Sequence, residues 1–210
     1  MPRTPPSART TPRRVRWLLV LGLVAVTAAI TVALGYQAPK HWPAAAAPPN
    51  PPRGERGALL GEADGVVPDR VTVLDDTVPA VTNLDPGLLR ALRRAATDAA
   101  DEGIEFYVNS GWRSPEYQDH LLREAVAEYG SEDEAARWVA TAATSPHVAG
   151  DAVDLGDSDA TAWLSAHGAE YGLCQIYRNE PWHYELRTDA IEGGCPRMYA
   201  DPTEDPRTQQ

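Results

Sequence analysis

A chain of 210 residues holds one ordinary domain plus a targeting segment and is too short for two full domains. Its net charge of −11 is unevenly spread: residues 1–16 carry five arginines and no acid, which leaves 14 basic against 30 acidic residues and a net −16 for the rest. That balance excludes a nucleic-acid surface, which needs a basic stripe to neutralise phosphates.

After the basic segment 1–16, Trp17 to Tyr36 run uncharged through WLLVLGLVAVTAAITVALGY. As a helix this stretch rises about 30 Å, enough to cross the hydrocarbon layer. The arginines before it and Lys40 after it predict a single-pass signal anchor, with the N-terminus cytoplasmic and everything downstream outside. A cleaved secretory signal is the rival, with Ala44–Ala47 as small residues for a peptidase, but the apolar run exceeds the usual core of about 7–15 residues. Both readings export the body. Residues 37–57, QAPKHWPAAAAPPNPPRGERG, have the prolines and alanines of a semi-rigid stalk. Export also makes Cys174 and Cys195 a predicted disulfide, whose loop of about 20 residues contributes roughly 3 kcal/mol in the chain-entropy model.

The folded domain is expected over 58–199. A short strand is predicted at Val71–Leu74. Asp85 then caps a helix with Pro86 in its first turn, and Leu88, Leu92, Ala95 and Ala99 recur at helical spacing up to Gly103. Ile104, Phe106 and Val108 alternate as in a half-buried strand, followed by a turn at SGWRS. A second helix runs from Ser114 and Pro115 to Tyr129, and Ser131 with Glu134 forms a capping box for a third, reaching about Ala143. Ala152–Leu155 reads as a short strand, Asp159–Tyr171 as a helix, and LCQIY and WHYEL as two more strands. The pattern predicts an α+β domain with a small, largely antiparallel sheet. The Pro-, Asp- and Glu-rich tail 200–210 is expected to be disordered.

Chemistry gathers in the second half of the chain. His147 and Asp154 stand seven residues apart across Gly150, and Glu180 and His183 flank Pro181 and Trp182. Two imidazoles and one carboxylate suit catalytic zinc with a fourth position for water, and a further carboxylate that is not a ligand can take the water's proton. Spacing alone leaves the alternative that these are ordinary structural residues. Asp151 faces opposite to Ala152 along the strand, which leaves Asp154 as the ligand. His41 falls in the stalk, and His120 and His167 fall on helices without a partner motif.

The strings SGWRSPEYQ, SPHVAGDAVDLG and EPWHYEL resemble, in order and spacing, the S-G-Y-R-S-x-x-x-Q, S-x-H-x-x-G-x-A-x-D and E-x-W-H patterns of the VanY-type zinc D-alanyl-D-alanine carboxypeptidases. The resemblance spans roughly residues 70–187. It implies zinc ligation by His147, Asp154 and His183, Glu180 as general base and then proton donor, and Arg113 as oxyanion donor. Gln118 and Ser145 match substrate-contacting positions, though a helix-surface Gln and a turn Ser also have structural readings. Trp112 replaces the family's tyrosine, and Pro146 stands where the family often has an acid. The expected substrate is the D-Ala-D-Ala end of peptidoglycan stem peptides. Within the same class stand L,D-carboxypeptidase, D,D-dipeptidase and endopeptidase activities, and outside it a non-catalytic zinc-bearing module that binds wall peptides. Nothing in the sequence reports an oligomeric state.

Overall fold

The computed structural model describes residues 60–209, which belong to one compact unit, Gly57–Gln210. The basic segment 1–16, the proposed anchor 17–36 and the stalk 37–57 lie outside the described residues. Among the described residues no helix is long and apolar enough to cross a membrane.

A 3-10 turn at Glu62–Asp64 opens the described chain. Pro79–Thr82 forms a single turn, α1, and Pro86–Ala100 forms α2. The Asp85 side chain accepts from the backbone N–H groups of Gly87 and Leu88, satisfying donors that a helix start leaves free. The helix buries Leu88, Ala91, Leu92, Ala95, Ala96 and Ala99, a stripe at helical spacing. The next elements are strand β1 (Val108–Ser110), helix α3 (Pro115–Tyr129), the single turns α4 (Glu132–Ala135) and α5 (Pro146–Ala149), strand β2 (Ala152–Leu155) and helix α6 (Ser158–His167). Strands β3 (Leu173–Gln175) and β4 (His183–Leu186) and the turn α7 (Ala190–Gly193) complete the series.

All strand pairs are antiparallel, in the order β1-β2-β4-β3. Because side chains alternate along a strand, the sheet has two different faces. Val108, Val153, Leu155, Leu173 and Tyr184 join the α2 stripe, Phe106, Trp163 and Leu164 in the main core. Ser110, Asp154 and His183 stand opposite one another on the other face, as do Ala152, Glu185 and Cys174. The sheet therefore packs its hydrophobic side on the helices and presents its polar side to the site.

Five expectations differ from the fold. Val71–Leu74 makes only a bridge, Thr72 to Tyr107, and the strand predicted from Ile104 narrows to Val108–Ser110. The helix predicted from Ser131 to Ala143 stops after one turn, although Ser131 Oγ does accept from Glu134 N–H as the capping box requires. Side chains elsewhere claim the carbonyls that a longer helix would use: Asn179 Nδ2 donates to the Arg137 carbonyl (2.8 Å) and Gln118 Nε2 to that of Ala140 (2.8 Å). The helix predicted over Asp159–Tyr171 ends at His167 and tightens into a 3-10 turn, Gly168–Tyr171.

The fifth difference is the tail. Expected to be disordered, it is ordered through residue 209 in 3-10 turns at Pro202–Glu204 and Pro206–Thr208, each capped by an aspartate. Its acids are not merely solvated: Asp201 accepts from Arg137 (3.0 Å), and Asp205 is fully buried, accepting from Tyr177 Oη (3.0 Å). Composition favoured solvation, and specific buried partners outweigh it. Cys174 and Cys195 form the predicted disulfide, joining β3 to the stretch that leads into this tail.

Candidate metal centre and active site

The polar face of the sheet brings Asp154 of β2 beside His183 of β4, its register partner. His147 arrives from α5, and Gly150 provides the reversal between it and β2. With φ at +80° and an added Cβ falling 2.6 Å from the Asn83 carbonyl, that position needs glycine for both conformation and space. One ligand atom from each of His147, Asp154 and His183 lies within 4.8 Å of the others, and all three residues are buried. Asp154 Oδ1 is 3.4 Å from His147 Nε2 and 3.1 Å from His183 Nδ1.

Both rings are oriented from behind. His147 Nδ1 lies 2.8 Å from the Gly111 carbonyl, which can only accept, so the proton sits on Nδ1 and the Nε2 lone pair faces the cluster. His183 Nε2 lies 3.3 Å from Glu185 Oε1, also an acceptor, so a neutral ring turns the Nδ1 lone pair toward Asp154 Oδ1. Lone pair then faces lone pair at 3.1 Å, an arrangement that needs either an imidazolium proton or a shared cation.

Electrostatics follow the same logic. Burial disfavours charge on His183, but hydrogen bonds to Asp154 and Glu185 outweigh it and raise its pKa to about 10. Burial, reinforced by Arg113, lowers that of His147. Burial also opposes ionisation of Asp154, yet His147 and His183 hold its carboxyl well below the ordinary carboxylate value. Glu180, at 6% exposure, is pushed up to about 7 by burial against the pull of His183. Its Oε2 is 3.6 Å from His183 Nδ1, and its Oε1 is buried without a hydrogen-bond partner among the described residues.

Arg113 closes the opposite side. Its guanidinium donates to Asp154 Oδ2 (3.0 Å), Ser110 Oγ (2.7 Å) and Gln118 Oε1 (3.1 Å). Gln118, expected on a helix surface, is 1% exposed, with its amide shared between Arg113 and the Ala140 carbonyl. Its visible work is to hold Arg113. Ser145 is buried two residues before His147, and its hydroxyl has no partner among the described residues. Asp151 is exposed, outside the cluster as expected.

The sequence reading missed Ser110, the Gly111 carbonyl and Glu185. Ser110 and Gly111 are signalled as the first two residues of the SGWRS motif, and Glu185, two residues after His183 on a strand, must share that residue's face.

The family model for VanY, D-alanyl-D-alanine carboxypeptidase, matches residues 81–188. A D-alanyl-D-alanine carboxypeptidase of Enterococcus faecalis is 32% identical over 111 residues, covering 41% of this chain and 41% of that protein. The chain thus spans well under half of that relative's length. Among solved structures, a zinc-bound mutant of the vancomycin resistance D,D-pentapeptidase VanY is 26% identical, with 53% of this chain and 80% of that chain covered and a TM-score of 0.48. VanYB in complex with D-alanine-D-alanine is 28% identical over 53% and 74%, also at 0.48. The family match takes in α2, the whole sheet and every residue of the His147–Asp154–His183 cluster, and this chain belongs to the VanY D-alanyl-D-alanine carboxypeptidase family.

Proposed function

We propose that this protein is a zinc metallopeptidase that hydrolyses the terminal D-Ala-D-Ala bond of peptidoglycan stem peptides outside the cytoplasmic membrane. The observation that carries the reading is the convergence of His147, Asp154 and His183 beside a buried Glu180 whose Oε1 has no partner among the described residues. The donor set fits zinc. Two ligands bound at about 2.0–2.1 Å and tetrahedral angles stand about 3.3 Å apart, close to the 3.1 and 3.4 Å found here.

Zinc held by these residues would supply Lewis-acid activation of water and of the scissile carbonyl. The protein supplies the rest. Glu180 takes a proton from the attacking water as the carbon–oxygen bond forms. It returns a proton to the amide nitrogen as the carbon–nitrogen bond breaks, so that D-alanine leaves as a neutral amine. A carboxyl raised to about 7 by burial is matched to that task near neutral pH. Arg113 contributes a permanently charged donor beside Asp154, suited to the oxygen that becomes negative as water adds. Ser145 offers a free buried hydroxyl for the peptide. The resemblance to VanY sequences supports the stereochemistry, and the apolar run at 17–36 supports a tethered extracellular location.

The test is incubation of the full chain with a stem pentapeptide ending in D-Ala-D-Ala, with and without a chelator, read by mass spectrometry. Release of one D-alanine that the chelator abolishes is expected. Hydrolysis of the tetrapeptide alone would replace this reading with L,D-carboxypeptidase activity, and internal cleavage would replace it with an endopeptidase.

A further inference from the structure

We propose that Arg207, in the tail segment beyond the family-matched region, is a positioning residue of the metal site and acts through Glu185 on His183. The inference rests on the zinc reading above and adds to it a residue from outside residues 81–188.

Glu185 is wholly buried, and its Oε1 is the partner of His183 Nε2 at 3.3 Å. A buried carboxylate keeps its charge only when strong donors compensate it. Arg187 provides one, NH2 to Oε2 at 2.6 Å, but it reaches a single oxygen. Arg207 spans both, with NH1 to Oε2 at 2.7 Å and NH2 to Oε1 at 3.2 Å. That fork fixes the plane of the carboxylate as well as its charge, and the plane decides whether Oε1 stays aimed at the His183 ring.

Arg207 is itself immobilised. Its Nε donates to Asp205 Oδ1 (3.0 Å) and Oδ2 (3.1 Å), and its NH2 also contacts Asp205. Asp205 is fully buried and accepts from Tyr177 Oη, and the Tyr177 ring lies 5.0 Å from that of His183. The chain of contacts therefore closes on itself: His183, Glu185, Arg207, Asp205, Tyr177 and back to His183. Arg137 also pins the tail, through Asp201, without touching Glu185. It separates tail anchoring from metal-site positioning.

Zinc affinity, measured on the full chain by competition with a chromophoric chelator, should fall about 10- to 100-fold in Arg207→Gln. Arg207→Lys keeps the charge without the fork and should recover part of the loss. Arg137→Gln should bind zinc as the wild type does. In cobalt-substituted protein, the visible absorption should shift in Arg207→Gln and stay unchanged in Arg137→Gln. Equal zinc affinity in wild type and Arg207→Gln overturns the inference alone. Equal losses in Arg207→Gln and Arg137→Gln overturn it in favour of simple tail anchoring. A wild type that binds no zinc overturns the metal reading and this inference together.

Discussion

Among single residues, the geometry separates the three clustered donors from Glu180, the proposed carrier of protons. Glu180 is not one of the three clustered donors, yet it is buried beside His183 with a free oxygen. Glu180→Gln should therefore retain zinc while D-alanine release falls about 10²- to 10⁴-fold, the range for loss of a general base. Loss of zinc in parallel, read by elemental analysis, would make Glu180 a ligand instead. The backbone has its own requirement at Gly150. Gly150→Ala must hold an L-residue at φ +80° and place Cβ against the Asn83 carbonyl, which should destabilise the fold by at least about 1–2 kcal/mol in thermal unfolding. That His147, Asp154, His183 and Glu180 converge was legible because each lies in a short motif with chemically suggestive neighbours. Glu185 was legible in principle from strand alternation. Arg207 and Tyr177 were not, because their contacts with Glu185 and Asp205 span 22 and 28 residues, and no local period encodes such a pairing.

At the scale of elements, periodicity worked where burial is one-sided. Helix α2 matches the expected stripe, its aspartate cap and its proline start, and strand β2 falls on the expected residues. It failed where tertiary hydrogen bonds compete with local ones, as for the carbonyls of Arg137 and Ala140, and in the tail, where acidic composition concealed buried partners. The tail's order has a pH signature. Burial of Asp205 favours its neutral form, but hydrogen bonds from Arg207 outweigh this and hold its pKa below the ordinary value, and Asp201 is lowered similarly. A carboxyl depressed in the folded state stabilises the fold above its unfolded pKa of about 4, and this contribution is lost as pH falls through the folded value. Asp205→Asn should therefore lower the melting temperature clearly at pH 7 and much less near pH 3. A melting difference independent of pH would remove the charged Asp205–Arg207 pair from the account of tail stability.

At the scale of the whole molecule, a small sheet divides its labour between two faces. Val153, Leu155 and Tyr184 hold it to the helices, while Asp154, His183 and Glu185 are held in register on the other side. Rigid strands thus carry two of the three proposed ligands, and the disulfide fastens β3 to the chain leading into the tail. The proposed function is that this face hydrolyses D-Ala-D-Ala ends with one zinc ion per chain. It is tested most directly by titrating zinc into the metal-free full chain while following D-alanine release from a stem pentapeptide. Release should rise with added zinc and saturate at one equivalent, and His183→Ala should show no such rise. Release that is full without zinc, or absent at one bound equivalent, would contradict it.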